Sequence, residues 1–176
     1  MVSQDSGAWQ VYPRPQLMRD NYVNLNGWWD FSASWEMPVT YERQIRVPFC
    51  PERQLSGVGQ HFQEGIGLWY RRQVKLPSTH NRGRWLLHIG AADQKTDVFV
   101  NGNHAGSHLG GYEAMSFDVT AYLQPDNEIV IRVTDDLRGN VQPYGKQTLK
   151  RGGMWYTPVS GIWQTVWMEA VPERYV

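Results

Sequence analysis

Three glutamates in turn-rich segments are candidates for acid–base or nucleophilic catalysis. Glu52, Glu64 and Glu113 all lie outside the regular hydrophobic patterns of the chain. Two carboxylates that share acid–base or nucleophilic work must lie within about 5–10 Å of each other. No spacing among these three residues specifies such a pair. We interpret them as solvated surface carboxylates and predict no catalytic residue in this chain.

The histidines and the single cysteine do not predict a metal site. His104 and His108 are four residues apart, which on a helix would bring both side chains to one face. They follow the turn signal Asn101-Gly102, however, and four residues along a strand span about 13 Å, too far for one ion. We interpret all five histidines as structural or solvated and Cys50 as a small buried hydrophobic residue. No metal and no cofactor is predicted.

The segment 136–158 combines aromatic and polar side chains in the way that a polyhydroxylated ligand requires. Flat aromatic faces stack on the C–H face of a sugar ring, and polar groups hydrogen-bond to its hydroxyls. The same mixture also suits a surface that packs against a neighbouring domain. The candidate substrate-binding residues are Asp136, Arg138, Lys146, Gln147, Trp155 and Tyr156.

Composition excludes several classes of function. The 176 residues include 17 Lys and Arg and 17 Asp and Glu, so the formal net charge is zero. This balance argues against a nucleic-acid-binding protein and against a polybasic membrane-surface module. No apolar run approaches the ~20 residues of a transmembrane helix. The nine Trp and nine Tyr either fill a β-sandwich core or form surfaces that stack on sugars.

The hydrophobic pattern predicts strands, with only one helical turn at Asp118–Leu123. Residues 128–135 alternate and place Ile129, Ile131 and Val133 on one face. Together with the Asn-Gly turns, this predicts an all-β, antiparallel sandwich or jelly roll in a single domain, with long irregular segments at 49–67 and 136–158. Other strands are predicted at Trp28–Ala33, Ile45–Val47, Trp69–Leu76, Arg84–Ile89, Asp97–Val100, Asn103–His108 and Gly161–Val171. The predicted buried core comprises Trp28, Trp69, Val98, Val100, Ile129, Ile131, Val133, Ile162 and Trp163.

Six short motifs follow one another between about Pro13 and Val171. They are Leu25-Asn26-Gly27-Trp28-Trp29-Asp30-Phe31, Val47-Pro48-Phe49-Cys50-Pro51-Glu52, Trp69-Tyr70-Arg71-Arg72, Asp97-Val98-Phe99-Val100-Asn101-Gly102, Gly110-Gly111-Tyr112 with Phe117-Asp118-Val119-Thr120, and Ser160-Gly161-Ile162-Trp163-Gln164. Each motif alone is weak. Together, and in this order, they resemble the N-terminal domain of family 2 glycoside hydrolases, the group of the β-galactosidases, β-glucuronidases and β-mannosidases.

The resemblance implies a galactose-binding-domain-like jelly roll over residues 1–176, with residues 1–12 as an N-terminal extension. In the family, this sugar-binding domain precedes an immunoglobulin-like domain and a TIM barrel that holds both catalytic Glu residues. The function expected from the resemblance is that of a non-catalytic accessory domain of a retaining exo-β-glycosidase. Such a domain buttresses the barrel and walls the substrate pocket. The expected partners are the β-glycoside and the downstream domains, without nucleic acid or membrane.

One position departs from the family pattern. Some relatives place an Asp directly before the aromatic pair that matches Met154-Trp155, and this chain has Gly153 there. A carboxylate contact to the sugar or to a cation therefore does not carry over to this chain. The run Pro143–Gln147 resembles a subgroup that is rich in bacterial enzymes.

Two other functions stay open at this point: a free-standing carbohydrate-binding module and a structural β-sandwich that mediates assembly. A flat, exposed platform at Trp155 and Tyr156 would favour the module, and a contact surface would favour the accessory domain. The residues do not decide the sugar, the linkage or whether the chain forms a homo-oligomer. They also leave the compartment open between the cytoplasm and, after removal of a signal peptide, the periplasm or the exterior.

Overall fold

The fold is an antiparallel β-sandwich, as the alternating pattern predicted. A computed structural model describes residues 8–76, 83–137 and 141–175. Every pairing between strands in these ranges is antiparallel, and the only helical elements described there are 3-10 turns of three residues. The strands are β1 (Tyr22–Asn24), β2 (Gly27–Ser34), β3 (Arg43–Val47), β4 (Gly67–Lys75), β5 (Arg84–Ile89), β6 (Ala92–Asp93), β7 (Lys95–Val100), β8 (Asn103–Leu109), β9 (Met115–Asp118), β10 (Asp126–Thr134), β11 (Gly161–Ile162) and β12 (Val166–Val171).

Two sheets form the layers of the sandwich. The larger sheet has the strand order β3-β2-β4-β10-β7-β8, and the smaller has the order β1-β12-β5-β9. A two-stranded pair, β11 and β6, completes the described sheet structure. The central strand β10 pairs with β4 on one side and with β7 on the other, and its residues Ile129, Ile131 and Val133 are fully buried. The alternation predicted at this strand is therefore confirmed.

The paired tryptophans of β2 lie on opposite faces of the sheet. Trp29 and Phe31 point into the core, whereas Trp28 is 46% exposed. The prediction that Trp28 is buried is wrong, because successive side chains on a strand alternate between faces and Trp29 takes the core position. On the outer face, Trp28 packs so closely over Gly57 that a Cβ there would lie 2.9 Å from the indole.

The apolar run 161–171 is not one strand. It divides into β11 and β12, and the main-chain N–H groups of Trp163 and Gln164 between them both donate to Ala91 O. Trp163 is consequently half-buried rather than buried, and its Nε1 donates to Gly111 O at 2.9 Å. The first residue of β11, Gly161, has to be glycine, because its φ is +74° and a Cβ there would overlap the Tyr70 hydroxyl.

The helical turn predicted at Asp118–Leu123 is confirmed as a 3-10 turn at Thr120–Tyr122. Asp118 Oδ1 accepts a hydrogen bond from Thr120 N at 3.1 Å, in the manner of a cap. The turn follows β9, and Val119 N donates to Trp85 O, which joins the turn to β5.

A buried carboxylate holds the N-terminal segment on the smaller sheet. Glu169 of β12 faces away from the core and is 1% exposed, and it accepts hydrogen bonds from Tyr12 and Arg14. His88 Nε2 lies 3.0 Å from the same carboxylate, while burial lowers the pKa of His88 to about 4. Because burial keeps the imidazole neutral, His88 adds no further positive charge beside the guanidinium groups of Arg14 and Arg19, which both pair with Glu169. Residues 12–14 belong to the fold through this carboxylate.

Truncation of Ile131 tests the core. Ile131→Ala should lower the free energy of unfolding by about 2–5 kcal/mol, because the variant loses buried methylenes and leaves a cavity. Val39→Ala is the control, since Val39 is 94% exposed and should shift stability by less than about 0.5 kcal/mol. Urea unfolding of both variants measures the difference. An equal, small effect of both substitutions would contradict the buried position of β10.

Candidate functional site

The two long irregular segments meet at one end of the sandwich. Ser160, just before β11, donates from Oγ to Glu52 Oε1 at 2.6 Å, and its N–H donates to Glu52 Oε2 at 3.2 Å. Gly65 N donates to Asp135 O at 2.8 Å. The β3–β4 connection is therefore bonded to the start and to the end of the β10–β11 connection.

Residues 144–158, which we call the aromatic segment, form a loop whose two arms are joined by a short main-chain bridge. Tyr156 N donates to Lys146 O, and Thr148 N donates to Tyr156 O, both at 3.0 Å. Lys146 has a positive φ of 58°, which turns the chain at the base of the bridge. The bridge orders a stretch that belongs to neither sheet.

The base of the aromatic segment is polar and buried. Gln147 is 7% exposed, its Nε2 donates to Asp93 Oδ2 at 3.1 Å, and its Oε1 accepts from Val159 N at 2.6 Å. The Tyr112 hydroxyl also hydrogen-bonds to Gln147. Asp93 belongs to β6, so these bonds fasten the segment to the sandwich itself.

The outer side of the aromatic segment is apolar and exposed. Trp155 is 44% exposed and Tyr156 is 64% exposed, and Met154 and Leu149 of the same segment are also exposed. Large exposed aromatic groups on an ordered segment indicate a ligand-binding or interaction surface. This surface and its buried base together form the candidate site.

The structure describes five of the six predicted site residues and places them in different environments. Trp155, Tyr156, Lys146 and Asp136 are exposed. Gln147, expected at the surface, instead has its side chain turned inward. Arg138 lies outside the described residues. The substrate contacts of all six stay predictions.

Three carboxylates, Glu52, Asp93 and Asp135, form what we call the buried acidic cluster. Burial raises the pKa of Asp135 to about 7, and the charges of Asp93 and Glu52 add to this effect. Burial also raises the pKa of Asp93, although the hydrogen bond from Gln147 opposes the shift. The interpretation of Glu52 as a solvated carboxylate is wrong, since its side chain is 7% exposed and bound to Ser160.

Sequence reasoning missed the residues that support the site. No spacing assigns Asp93, Tyr112 and Ser160 to the site, because Asp93 and Tyr112 reach it through Gln147 and Ser160 reaches it through Glu52, both distant in sequence. One signal was present: Gly111 precedes Tyr112, and a Cβ at Gly111 would overlap the Asp93 carboxylate. The sequence alone does not show why position 111 must be glycine, because the reason is its close contact with Asp93 in the folded chain.

The raised pKa of Asp135 predicts a pH dependence of stability. Between its ordinary value of 3.8 and about 7, the folded chain binds more protons at Asp135 than the unfolded chain does. The contribution of Asp135 to stability is thus fully present below about pH 4 and is lost as the pH rises to about 7. Asp135→Asn should remove this decline.

Urea unfolding of both proteins from pH 4 to pH 8 measures the effect. The stability difference, variant minus wild type, should grow with pH across this interval. Subtracting the two profiles cancels His88, whose lowered pKa acts in the opposite direction. A difference that does not change with pH would show that Asp135 titrates normally.

Comparison with known proteins places the chain in a family. Residues 58–172 match the model of "Glycosyl hydrolases family 2, sugar binding domain". A protein of Formosa agariphila, provisionally named a β-glucuronidase, is 30% identical over 96% of this chain and 20% of its own length. The β-glucuronidase of Felis catus is 28% identical over 83% of this chain and 25% of its own length. The chain thus spans a quarter or less of these two relatives.

Solved structures show the same fold. A β-glucuronidase from Ruminococcus gnavus, in complex with a C6-substituted uronic isofagomine, superposes with a TM-score of 0.71 at 22% identity. The superposition covers 93% of this chain and 31% of that one. Among the described residues, no helix is long and apolar enough to cross a membrane. The family match over most of the chain, with the jelly-roll sandwich that carries it, shows that the chain belongs to the sugar-binding domains of family 2 glycoside hydrolases.

Proposed function

We propose that this chain serves as the non-catalytic N-terminal domain of a retaining exo-β-glycosidase, with the aromatic segment as one wall of the substrate pocket. The observation that carries the proposal is an exposed aromatic surface fastened to a buried polar base. Trp155 and Tyr156 are held by main-chain bonds yet remain open on one side. A surface that is ordered but uncovered suits a partner that arrives from elsewhere in a longer protein.

The charge of the aromatic segment favours an acidic sugar as the substrate. Lys146, Lys150 and Arg151 are exposed, and residues 144–158 contain no Asp or Glu. A local excess of positive charge attracts an anionic group even on a chain whose net charge is zero. Relatives named β-glucuronidase support the same choice, so we propose a β-glucuronide as the substrate class.

In the proposal, the chemistry of retaining hydrolysis determines which groups this chain supplies and which a catalytic domain supplies. That reaction requires a carboxylate nucleophile and a carboxylic acid about 5–5.5 Å apart on either side of the scissile bond. In the proposal, both belong to a catalytic domain that follows this chain. The chain itself supplies stacking area, positive charge and exclusion of water on one side of the sugar.

A free-standing carbohydrate-binding module is the second candidate. The exposure of Trp155 and Tyr156 favours it, because such modules stack sugars on open aromatic surfaces. The two functions differ in affinity, since a module must hold its sugar without further protein contacts. A wall of a divided pocket makes only part of the contacts.

The purified 176-residue chain should hydrolyse no aryl β-glycoside. It should also bind free glucuronate or an aryl β-glucuronide no more tightly than about millimolar, which corresponds to about −4 kcal/mol. Rate assays with a panel of aryl β-glycosides and calorimetric titration measure the two quantities. Micromolar binding would favour the module. Turnover that persists after repurification and disappears in Glu64→Gln or Glu113→Gln would overturn the non-catalytic role.

In a longer protein that carries this chain before a catalytic barrel, Trp155→Ala should lower kcat/KM for an aryl β-glucuronide about fivefold or more. Loss of a stacked ring removes about 1 kcal/mol or more of contact with the sugar. Trp9→Ala is the matched control, because Trp9 is also exposed but lies on the N-terminal segment. Equal kinetics of the two variants would reduce the aromatic segment to a structural loop.

A further inference from the structure

The side chain of Gln147, one of the predicted site residues, is bonded at both ends inside the protein. Its amide nitrogen donates to Asp93 of β6 and its amide oxygen accepts from Val159 N. These two partners lie on different sides of the aromatic segment, on the sandwich and on the returning chain. One side chain therefore closes the segment into a loop of fixed shape.

The bonds around Gln147 extend to the exposed aromatic surface. Gln147 N donates to Tyr144 O at 3.2 Å, and the neighbouring Lys146 and Thr148 form the main-chain bridge to Tyr156. A shift of Gln147 must therefore shift Tyr156, and Trp155 with it. The aromatic surface belongs to neither sheet, so its position depends on the main-chain bridge and on the Gln147 side chain that fastens this bridge to β6.

We propose that Gln147 is a positioning residue that acts through Asp93 and the Val159 main chain to set the orientation of Trp155 and Tyr156. It does not touch the sugar. The effect on catalysis rests on the function proposed above, whereas the effect on the aromatic segment does not. The assignment differs from the substrate contact expected for this residue from sequence.

The surroundings make the amide, rather than a carboxylate, the required group. Asp93 faces Gln147 from β6, and Tyr112 faces it from the connection after β8. The carboxylates of Glu52 and Asp135 add negative charge near Asp93. His61 Nδ1 lies 3.6 Å from Glu52, and the charge of Glu64 acts on Asp135. A carboxylate at position 147 would oppose Asp93 directly, at about hydrogen-bond distance.

A carboxylate at position 147, alone and combined with an amide at position 93, tests the proposal on the 176-residue chain. In Gln147→Glu, two carboxylates compete for one proton, so the Val159 and Tyr156 amides should exchange with solvent at least about tenfold faster than in wild type at pH 8. At pH 5 the pair can share a proton, and the difference should shrink. Adding Asp93→Asn to Gln147→Glu places an amide donor opposite the new carboxylate. The double variant should return exchange to within about threefold of wild type at pH 8.

Gln164→Glu is the matched control, because it adds the same charge at an exposed side chain near β11. Its exchange rates at Val159 and Tyr156 should equal those of wild type. Wild-type exchange in Gln147→Glu at pH 8 would overturn the proposal. So would a double variant as fast as the single one, because the pairing of Gln147 with Asp93 would then be irrelevant. Global unfolding of each variant, measured in urea, separates local opening from loss of the fold.

Activity of a longer protein gives the second arm. The kcat/KM for an aryl β-glucuronide should fall in Gln147→Glu with increasing pH and recover in the double variant. If Trp155→Ala lowers kcat/KM but Gln147→Glu leaves it unchanged at pH 8, the positioning role is overturned and the proposed function stands. If Trp155→Ala has no effect, the proposed function fails, and amide exchange alone decides whether Gln147 fastens the segment.

Discussion

A long chain segment without regular secondary structure must find partners for its own polar groups, and this constraint shapes the candidate site. Among the described residues between β10 and β11, 135–137 and 141–160, none belongs to a strand of either sheet. Besides its main-chain bridge, this segment is bonded to the sandwich through Ser160, which donates to Glu52, and through Gln147, which bonds to Asp93 and to Val159 N. Because these side chains are buried, each unmade bond would cost about 1–3 kcal/mol. The segment is therefore held in place by a few polar residues.

The same solution appears on the opposite sheet. Glu169 lies outside the core, under the N-terminal segment, and binds Tyr12 and Arg14. Burial of a carboxylate is tolerated there because a guanidinium neutralises it and further donors satisfy its oxygens. The acidic cluster at the candidate site has no such guanidinium within its described contacts, and Asp135 responds by retaining its proton to about pH 7. The two sets of buried carboxylates therefore differ in whether a guanidinium contacts them.

The sequence predicts the sheets well because strand alternation is a local property. The bounds of β5 and the inward face of β10 follow from the pattern of apolar residues. The choice between Trp28 and Trp29 does not, because adjacent large residues fit either face. The break between β11 and β12 depends on Ala91 O, which the local sequence cannot reveal.

The candidate site is only partly predictable for a related reason. The aromatic and basic composition of residues 136–158 identified the segment, and Trp155 and Tyr156 are exposed as a binding surface requires. Composition cannot tell which polar residues face inward, so Gln147 looked like a ligand contact. Asp93, which decides the role of Gln147, lies 54 residues away in sequence. Long-range pairing of this kind follows from the fold alone.

In the proposed function, the aromatic segment forms part of a sugar pocket completed by another domain. The decisive measurement is a crystal structure of a longer protein that contains this chain, with a bound uronic-acid inhibitor. We expect a ring atom of Trp155 or Tyr156 to lie within about 4.5 Å of the inhibitor, the range of a direct apolar contact. An inhibitor bound in the barrel with the aromatic segment still open to solvent, and no contact between them, would contradict it.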